Sequence, residues 1–280
     1  MTVAVLTDTA AALSPELASQ WGVGLVPLTI VAGGRAYRDT DVDLPTLLSG
    51  SGRITTSGPP PSEFLRALAS MGAGVEGAVI VTVAEALSST HAAAVIAAGA
   101  TGATGPPVLV VDSGTAAGGQ GLVALAAAER ARSGAGLDEV AAAARAAVPQ
   151  VRLVGCLPTL DGLVRSGRMP GLAAAAARRA GLQFMFELRA GAIRPLRPAA
   201  SFGAAAGRMV ARCAADSGAG VDVLVLGPPG AQAVHELTER IRRAAEAGTL
   251  RLRRMWVGTF GTAILAYTGP EVAGLSWRRG

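Results

Sequence analysis

Short apolar runs that alternate with helix-forming segments constrain the fold of this chain more than any other feature. Residues 3–6, 23–30, 78–83 and 108–111 are nearly continuous in hydrophobicity, and turn-forming residues follow each. Continuous rather than alternating apolarity suits parallel strands that are covered on both faces. Between the runs lie segments of helical character at 14–21, 62–71, 91–100 and 121–133. Ser14 followed by Pro15 marks a helix start, with Ser at the N-cap and Pro at the first helical position. Strands in alternation with helices argue for a parallel sheet in an α/β domain. A further helix is expected over 134–149, beginning near Leu137 with Asp138 and Glu139 in its first turn. Beyond it the pattern restarts, with strands expected at 151–157, 184–188, 221–226 and 250–257 and helices at 201–215 and 231–247. The Ala-rich block 173–177 reads as helical filler. A chain of 280 residues has room for two such domains. The boundary is placed near residue 150, giving domains 1–150 and 151–280.

Composition narrows the function classes. Half of the residues are hydrophobic, yet no apolar stretch approaches the roughly 20 residues of a membrane span. The N-terminal apolar run is too short for a signal peptide and lacks a basic leader, so a soluble, cytoplasmic protein is expected. Two cysteines, Cys156 and Cys213, are expected as buried thiols rather than a disulfide. With His91 and His235 far from both in sequence, no structural metal site is expected. Lysine and asparagine are absent, and all 25 basic residues are arginine. That bias, with abundant Ala and Gly, points to a GC-rich genome rather than to a nucleic-acid surface. The cluster Arg251, Arg253 and Arg254 alternates with Leu250 and Leu252 and reads as a solvated strand face in preference to a phosphate site. No helix-turn-helix, zinc finger or aromatic RNA platform is present, so no nucleic-acid partner is expected. The missing lysine also excludes a Walker-type phosphate loop and Schiff-base chemistry.

In open parallel sheets ligands bind beyond the carboxyl ends of the strands, and there this chain gathers hydroxyls. Thr7, Asp8 and Thr9 follow the first run, and Ser88-Ser89-Thr90 follow the third and open an Ala-rich helix. Asp112, Ser113 and Thr115 follow the fourth, and Thr55-Thr56-Ser57-Gly58 precede the helix at 62–71. A site rich in hydroxyls and backbone donors but poor in bases accepts an anion, and a helix N-terminus adds unpaired N–H groups. Plain capping by one of the three hydroxyls is the competing explanation. Asp8 and Asp112 fit turn or cap roles better than catalytic ones. Gly118-Gly119-Gln120-Gly121 is only a loose likeness of a phosphate loop.

These segments together resemble the DegV family, almost end to end. Val5-Leu6-Thr7-Asp8-Thr9 is similar to the family's Asp-Ser strand end, and Asp112-Ser113 to a second such element. Val26-Pro27-Leu28 and Tyr37-Arg38-Asp39 resemble its next stretch. The run from Thr56 through Ser57, Gly58 and three prolines to Ser62-Glu63-Phe64 resembles TSQPSPxEF, and Leu87-Ser88-Ser89-Thr90-His91 resembles LSGTY. Gly167-Arg168-Met169 is similar to GGRI, and Tyr267-Thr268-Gly269-Pro270 to HTGPG. The departures are Gly58 for glutamine, Pro60 for serine, Ser89 for glycine, Tyr267 for histidine and Glu271 for glycine.

The resemblance implies two α/β domains with a long-chain fatty acid in a tunnel between them. It implies a carrier, not an enzyme, that presents the carboxylate to a separate fatty acid kinase, with the lipid as ligand and no cofactor. By position it places the carboxylate at Thr56, Ser57, Ser88, Ser89, Thr90 and Tyr267, with Arg168 beside it or facing the partner. The rival reading is a serine-dependent acyl hydrolase or transferase using Ser88 or Ser113. Neither serine sits in a GxSxG elbow, and only two histidines could activate one.

Overall fold

The computed structural model describes residues 2–49, 54–72, 74–101, 105–168 and 182–280. The first third of the chain runs β1 (Val3–Asp8), α1 (Pro15–Trp21), β2 (Val23–Val26), β3 (Thr29–Ala32), β4 (Arg35–Arg38), α2 (Leu44–Ser49), β5 (Thr55–Ser57) and α3 (Pro61–Ala69). Then come β6 (Gly77–Thr82), α4 (Thr90–Ala100), β7 (Val108–Asp112), α5 (Ala117–Arg132) and α6 (Leu137–Ala147). The remainder is β8 (Val151–Leu157), α7 (Asp161–Arg165), β9 (Gln183–Arg189), β10 (Ala192–Ala199), α8 (Phe202–Ala215), β11 (Val221–Gly227), α9 (Gln232–Glu246), β12 (Leu252–Thr259), α10 (Thr262–Thr268) and β13 (Ala273–Arg279). Met169 and the Ala block 173–177 lie outside the described residues.

The strands form three sheets. A four-stranded parallel sheet has the order β2-β1-β6-β7, and a six-stranded mixed sheet the order β10-β9-β8-β13-β11-β12. A small antiparallel sheet, β4-β3-β5, stands apart from both. The result is an α/β fold consistent with two domains. Every residue of β6 is buried, as expected for a central parallel strand. Ser14 caps α1 as its spacing implies, its hydroxyl accepting the Leu17 N–H at 3.2 Å.

Three expectations need correction. The run 23–30 is not one strand. It breaks at Pro27, which lacks an N–H for the ladder, so β2 joins the parallel sheet and β3 the small one. The glycines at 118–121 are not a loop, because α5 starts at Ala117 and carries them in its buried first turns. They allow close packing: a Cβ at Gly118 would lie 2.8 Å from Ser276 Oγ, and one at Gly121 would lie 2.7 Å from the Ala11 carbonyl. With these contacts α5 lies between the two large sheets, and one core cluster runs through both, from Val5 and Val79 to Leu153 and Leu224. Nor is the arginine cluster merely a solvated face: Arg251 is exposed as expected, but Arg253 and Arg254 of β12 join Arg278 of β13 in an ion-pair network on a buried carboxylate. Arg253, Arg254 and Arg278 converge on buried Asp222, at 2.6, 2.8 and 2.7 Å. Burial by itself would raise that carboxyl, but the three guanidinium groups outweigh it and hold it well below the usual carboxylate range. Arg254 also pairs with Glu129 of α5 at 2.9 Å and stacks on Trp21 and Trp256, 5.5 and 5.3 Å from the ring centroids.

Cys156 and Cys213 are free, buried thiols in the core of the second sheet, and burial pushes both up to about 12. Among the described residues no helix is long and apolar enough to cross a membrane, and no group of three or more His, Cys, Asp or Glu side chains is placed to hold a metal ion.

Candidate functional site

Between the parallel sheet and the mixed sheet lies a cavity of about 940 Å³, its open mouth included. Its walls are apolar: Ala10, Val83 and Ala117 from the first half of the chain face Leu153, Phe186 and Leu188 from the second. The polar side chains that line it are Thr56, Ser57, Ser88, Arg168, Tyr267 and Thr268.

Five of these six are sequence-derived candidates, and four separate segments bring them together. Thr56 and Ser57 come from β5, Ser88 from the turn before α4, Arg168 from the turn after α7 and Tyr267 from α10. Two glycines permit the convergence. At Gly58 a Cβ would lie 2.6 Å from Thr90 Oγ1 and 2.9 Å from the Thr90 nitrogen, so the chain after β5 rests directly on the start of α4. At Gly162 a Cβ would overlap the Tyr267 carbonyl, so α7 rests directly on α10. Both are contacts that only a glycine backbone allows.

Within the cluster, the Thr56 and Tyr267 hydroxyls are in contact with each other, and the Tyr267 hydroxyl also reaches the Thr56 carbonyl at 3.4 Å. The Arg168 guanidinium lies over the Tyr267 ring, 4.3 Å from its centroid. Such stacking contributes about 0.5–1 kcal/mol at exposed sites and about 2 kcal/mol when desolvated. Arg168 Nη1 donates to the Ser166 carbonyl at 3.3 Å, and no carboxylate among the described residues pairs with it. Most of its five donors are left for another acceptor at the polar end of an apolar cavity.

Ser89 and Thr90 are placed differently from Ser88, for neither lines the cavity. Ser89 is exposed at the N-cap of α4 and makes no side-chain cap bond. Thr90 is buried, with its hydroxyl 2.8 Å from Ser88 Oγ, and its N–H donates to Ser88 Oγ at 3.3 Å. Thr90 thus orients the Ser88 hydroxyl. The rival nucleophiles have no histidine partner. Ser88 pairs with Thr90, and buried Ser113 donates to the Thr115 carbonyl at 3.1 Å. His91 Nδ1 instead meets Thr82 Oγ1 at 3.0 Å.

Neither strand-end aspartate reaches the polar cluster. Asp112 closes a turn, accepting the Gly114 N–H at 2.9 Å. Asp8 is fully buried and accepts from the Val83 and Ala10 N–H groups and the Gln120 amide. Burial pushes it up to about 6 in spite of those bonds. Sequence reasoning missed Thr268, whose hydroxyl is satisfied by the Ile264 carbonyl at 3.0 Å. It also missed a buried residue behind the site, Asp39, whose Oδ2 accepts from Thr9 at 2.7 Å.

The family model described as "Uncharacterised protein, DegV family" matches residues 2–279. The chain belongs to the DegV family. A DegV domain-containing protein of Streptomyces coelicolor is 34% identical over 285 residues, covering 98% of this chain and 97% of that protein. Among solved structures, a fatty-acid-binding DegV family protein from Thermus thermophilus superposes with a TM-score of 0.85 at 25% identity, covering 99% of each chain. The Streptococcus pneumoniae Fatty Acid Kinase (Fak) B3 protein, loaded with linoleic acid, gives a TM-score of 0.84 at 20% identity, again over 99% of each chain. The likeness to these DegV structures thus covers nearly the whole chain.

Proposed function

We propose that this DegV protein binds a long-chain fatty acid in the cavity between its two sheets and presents the carboxylate at its polar end. One observation carries the reading: an apolar cavity whose polar lining is gathered at Thr56, Ser57, Ser88 and Tyr267, with Arg168 stacked above and free of any carboxylate among the described residues. The fatty acid carried by the Thermus thermophilus protein of the same fold supports it. A carboxylate meeting these hydroxyls and the guanidinium forms charge-assisted hydrogen bonds, while the chain lies against Leu153, Phe186 and Leu188. Burial of the acyl chain contributes about 0.8 kcal/mol per methylene, so the chain supplies most of the affinity and the polar end fixes its orientation.

In this reading the protein is a cytoplasmic carrier with the lipid as its ligand and no cofactor. Residues 1–150 supply the carboxylate-binding loops that carry Thr56, Ser57 and Ser88, and 151–280 cover the chain and add Arg168 and Tyr267 to the polar end. Any chemistry on the carboxylate belongs to a separate fatty acid kinase, a partner suggested by the likeness to the Fak B3 protein. Mass spectrometry of organic extracts of the protein purified from a bacterial host tests the proposal. One C14–C18 fatty acid per chain is expected. Extracts without lipid, together with no uptake of added palmitate or oleate, would overturn it.

A further inference from the structure

The floor of the cavity is a row of cross-strand neighbours from which side chains are missing. In the mixed sheet Gly155 of β8 pairs with Phe186 of β9 on one side and with Gly274 of β13 on the other. Laterally paired residues point to the same face of a sheet, and Phe186, Gly155 and Gly274 all line the cavity. The next row, Leu153 with Leu188 and Ile193, is filled with aliphatic side chains. The two bare positions are not alike. A Cβ at Gly155 would lie 2.5 Å from Phe186 Cζ and 2.8 Å from Cε1, so the tip of the ring occupies the space of a side chain at 155. At Gly274 the nearest atom to a Cβ is the Val154 carbonyl at 3.3 Å, with Leu226 Cδ1 at 3.5 Å. A Cβ at Gly274 would thus sit tightly against a backbone carbonyl but meet no ring, while the space over Gly155 is taken by an aromatic ring from the neighbouring strand.

On the fatty-acid reading above, we propose that the Phe186 ring, laid over Gly155, sets the length of acyl chain the cavity accepts. None of the polar lining groups comes from the strands of this sheet, so a carboxylate held by Thr56, Ser88 and Arg168 directs its methylenes along the glycine floor toward Phe186. The ring is the largest side chain these strands contribute to the lining, and it is held in place by the absence of a Cβ at 155. A methyl group at 155 forces the ring tip off the floor and into the cavity. A shorter side chain at 186 opens the floor.

The test is a series of palmitate, stearate and the C20 acid, with affinities measured on delipidated wild type, Phe186→Leu, Gly155→Ala and the double variant. The readout is the ratio of affinities for long and short acids within each protein. A partly unfolded variant loses affinity for all acids by the same factor, so the ratio is insensitive to stability. Each methylene newly accommodated is worth about fourfold in affinity, the equivalent of roughly 0.8 kcal/mol. Phe186→Leu is expected to raise the C20-to-C16 ratio by about tenfold, Gly155→Ala to lower the C18-to-C16 ratio, and the double variant to return toward wild type. Four proteins that all bind fatty acid with one unchanged chain-length profile would overturn the inference and leave the fatty-acid reading intact. A wild type that binds none of the three acids would overturn that reading, and the inference with it.

Discussion

Replacing Asp39 with asparagine tests how the polar end of the cavity is held. Asp39 is 5% exposed, and its Oδ1 has no partner among the described residues. Its Oδ2 accepts from Thr9, whose Oγ1 in turn accepts the Leu28 N–H at 3.0 Å. A Cβ at Gly261, the residue before the helix that carries Tyr267, would lie 3.2 Å from that same Oδ2. Burial, reinforced by the nearby charge of Asp8 and only partly offset by hydrogen bonds, pushes the Asp39 carboxyl up to about 7 from its ordinary 3.8. Since the folded-state value is the higher one, the folded protein holds this proton more tightly than the unfolded chain does. The associated stability is fully present below about pH 4 and is lost as pH rises through about 7. At ~1.36 kcal/mol per pH unit the loss is on the order of 4 kcal/mol. Asparagine keeps the shape and the acceptor for Thr9 but has no charge to bury. Urea unfolding followed by circular dichroism should show Asp39→Asn close to wild type at pH 4.5 and more stable by a few kcal/mol at pH 8. A difference between the two proteins that is the same at both pH values would refute the reasoning.

Other perturbations separate the polar end from the scaffold. Thr56→Ala or Ser88→Ala removes one hydrogen bond to a charged group, about 1.5–3 kcal/mol, so palmitate affinity should fall roughly 10- to 100-fold without vanishing; titration by calorimetry checks this. Arg168→Ala should keep the fold and still carry lipid, though more weakly held, because the acyl chain supplies most of the affinity; it should lose acyl-phosphate formation with a cognate kinase, as read by phosphate transfer from labelled ATP. Tyr267→Phe removes the hydroxyl in contact with Thr56 while keeping the ring under Arg168, so binding should weaken less than about tenfold in the same titration. Asp222→Ala leaves three guanidinium groups without their shared carboxylate. Because two of them are about a third or more exposed, a cost near the lower end of 3–5 kcal/mol is expected, seen as a fall in Tm of roughly 6–12 °C.

How much of the fold is legible in the sequence depends on which surface each strand presents. β1, β6 and β7 are read from their apolar runs because helices cover both faces of the parallel sheet. The edge strands β4 and β10 carry no such signal. β4 exposes Arg35 and Ala36, and β10 is interrupted by Pro195, Pro198 and two arginines. Proline and charge at an edge are devices against strand addition, and they erase the apolar pattern at the same time. β13 escaped notice for a different reason. It lies in the middle of the mixed sheet, but Gly274 and Ser276 face the cavity side, and Ser276 meets α5 at its glycines. Close packing there demands small residues on both partners, and small residues have no hydrophobic periodicity. The glycines of α5 misled in the same way: a loop and a tightly packed helix both call for glycine, and only the partner surface distinguishes them.

The candidate site divides along a similar line. Hydroxyls at strand ends and helix starts are visible as types at positions, which brings Thr56, Ser57 and Ser88 into view, whereas Tyr267 and Arg168 are named only through the resemblance to the family. Which of several neighbouring hydroxyls faces inward depends on the local path of the backbone, which residue type does not reveal. Ser88, Ser89 and Thr90 are consecutive, yet only the first lines the cavity, the second is exposed and the third is buried behind it as its hydrogen-bond partner. The glycines that bring the segments together, Gly58 against Thr90 and Gly162 against Tyr267, are equally silent in a lone sequence, because their role is the absence of a side chain. Gly58 stands where the family motif has glutamine, and it is there that the chain after β5 lies against α4 without room for a Cβ. A side chain restored at that position would push Thr56 and Ser57 away from Ser88. The departure from the motif is therefore coupled to the geometry of the polar end, and it belongs with Tyr267 and Arg168 in any account of the proposed carboxylate site.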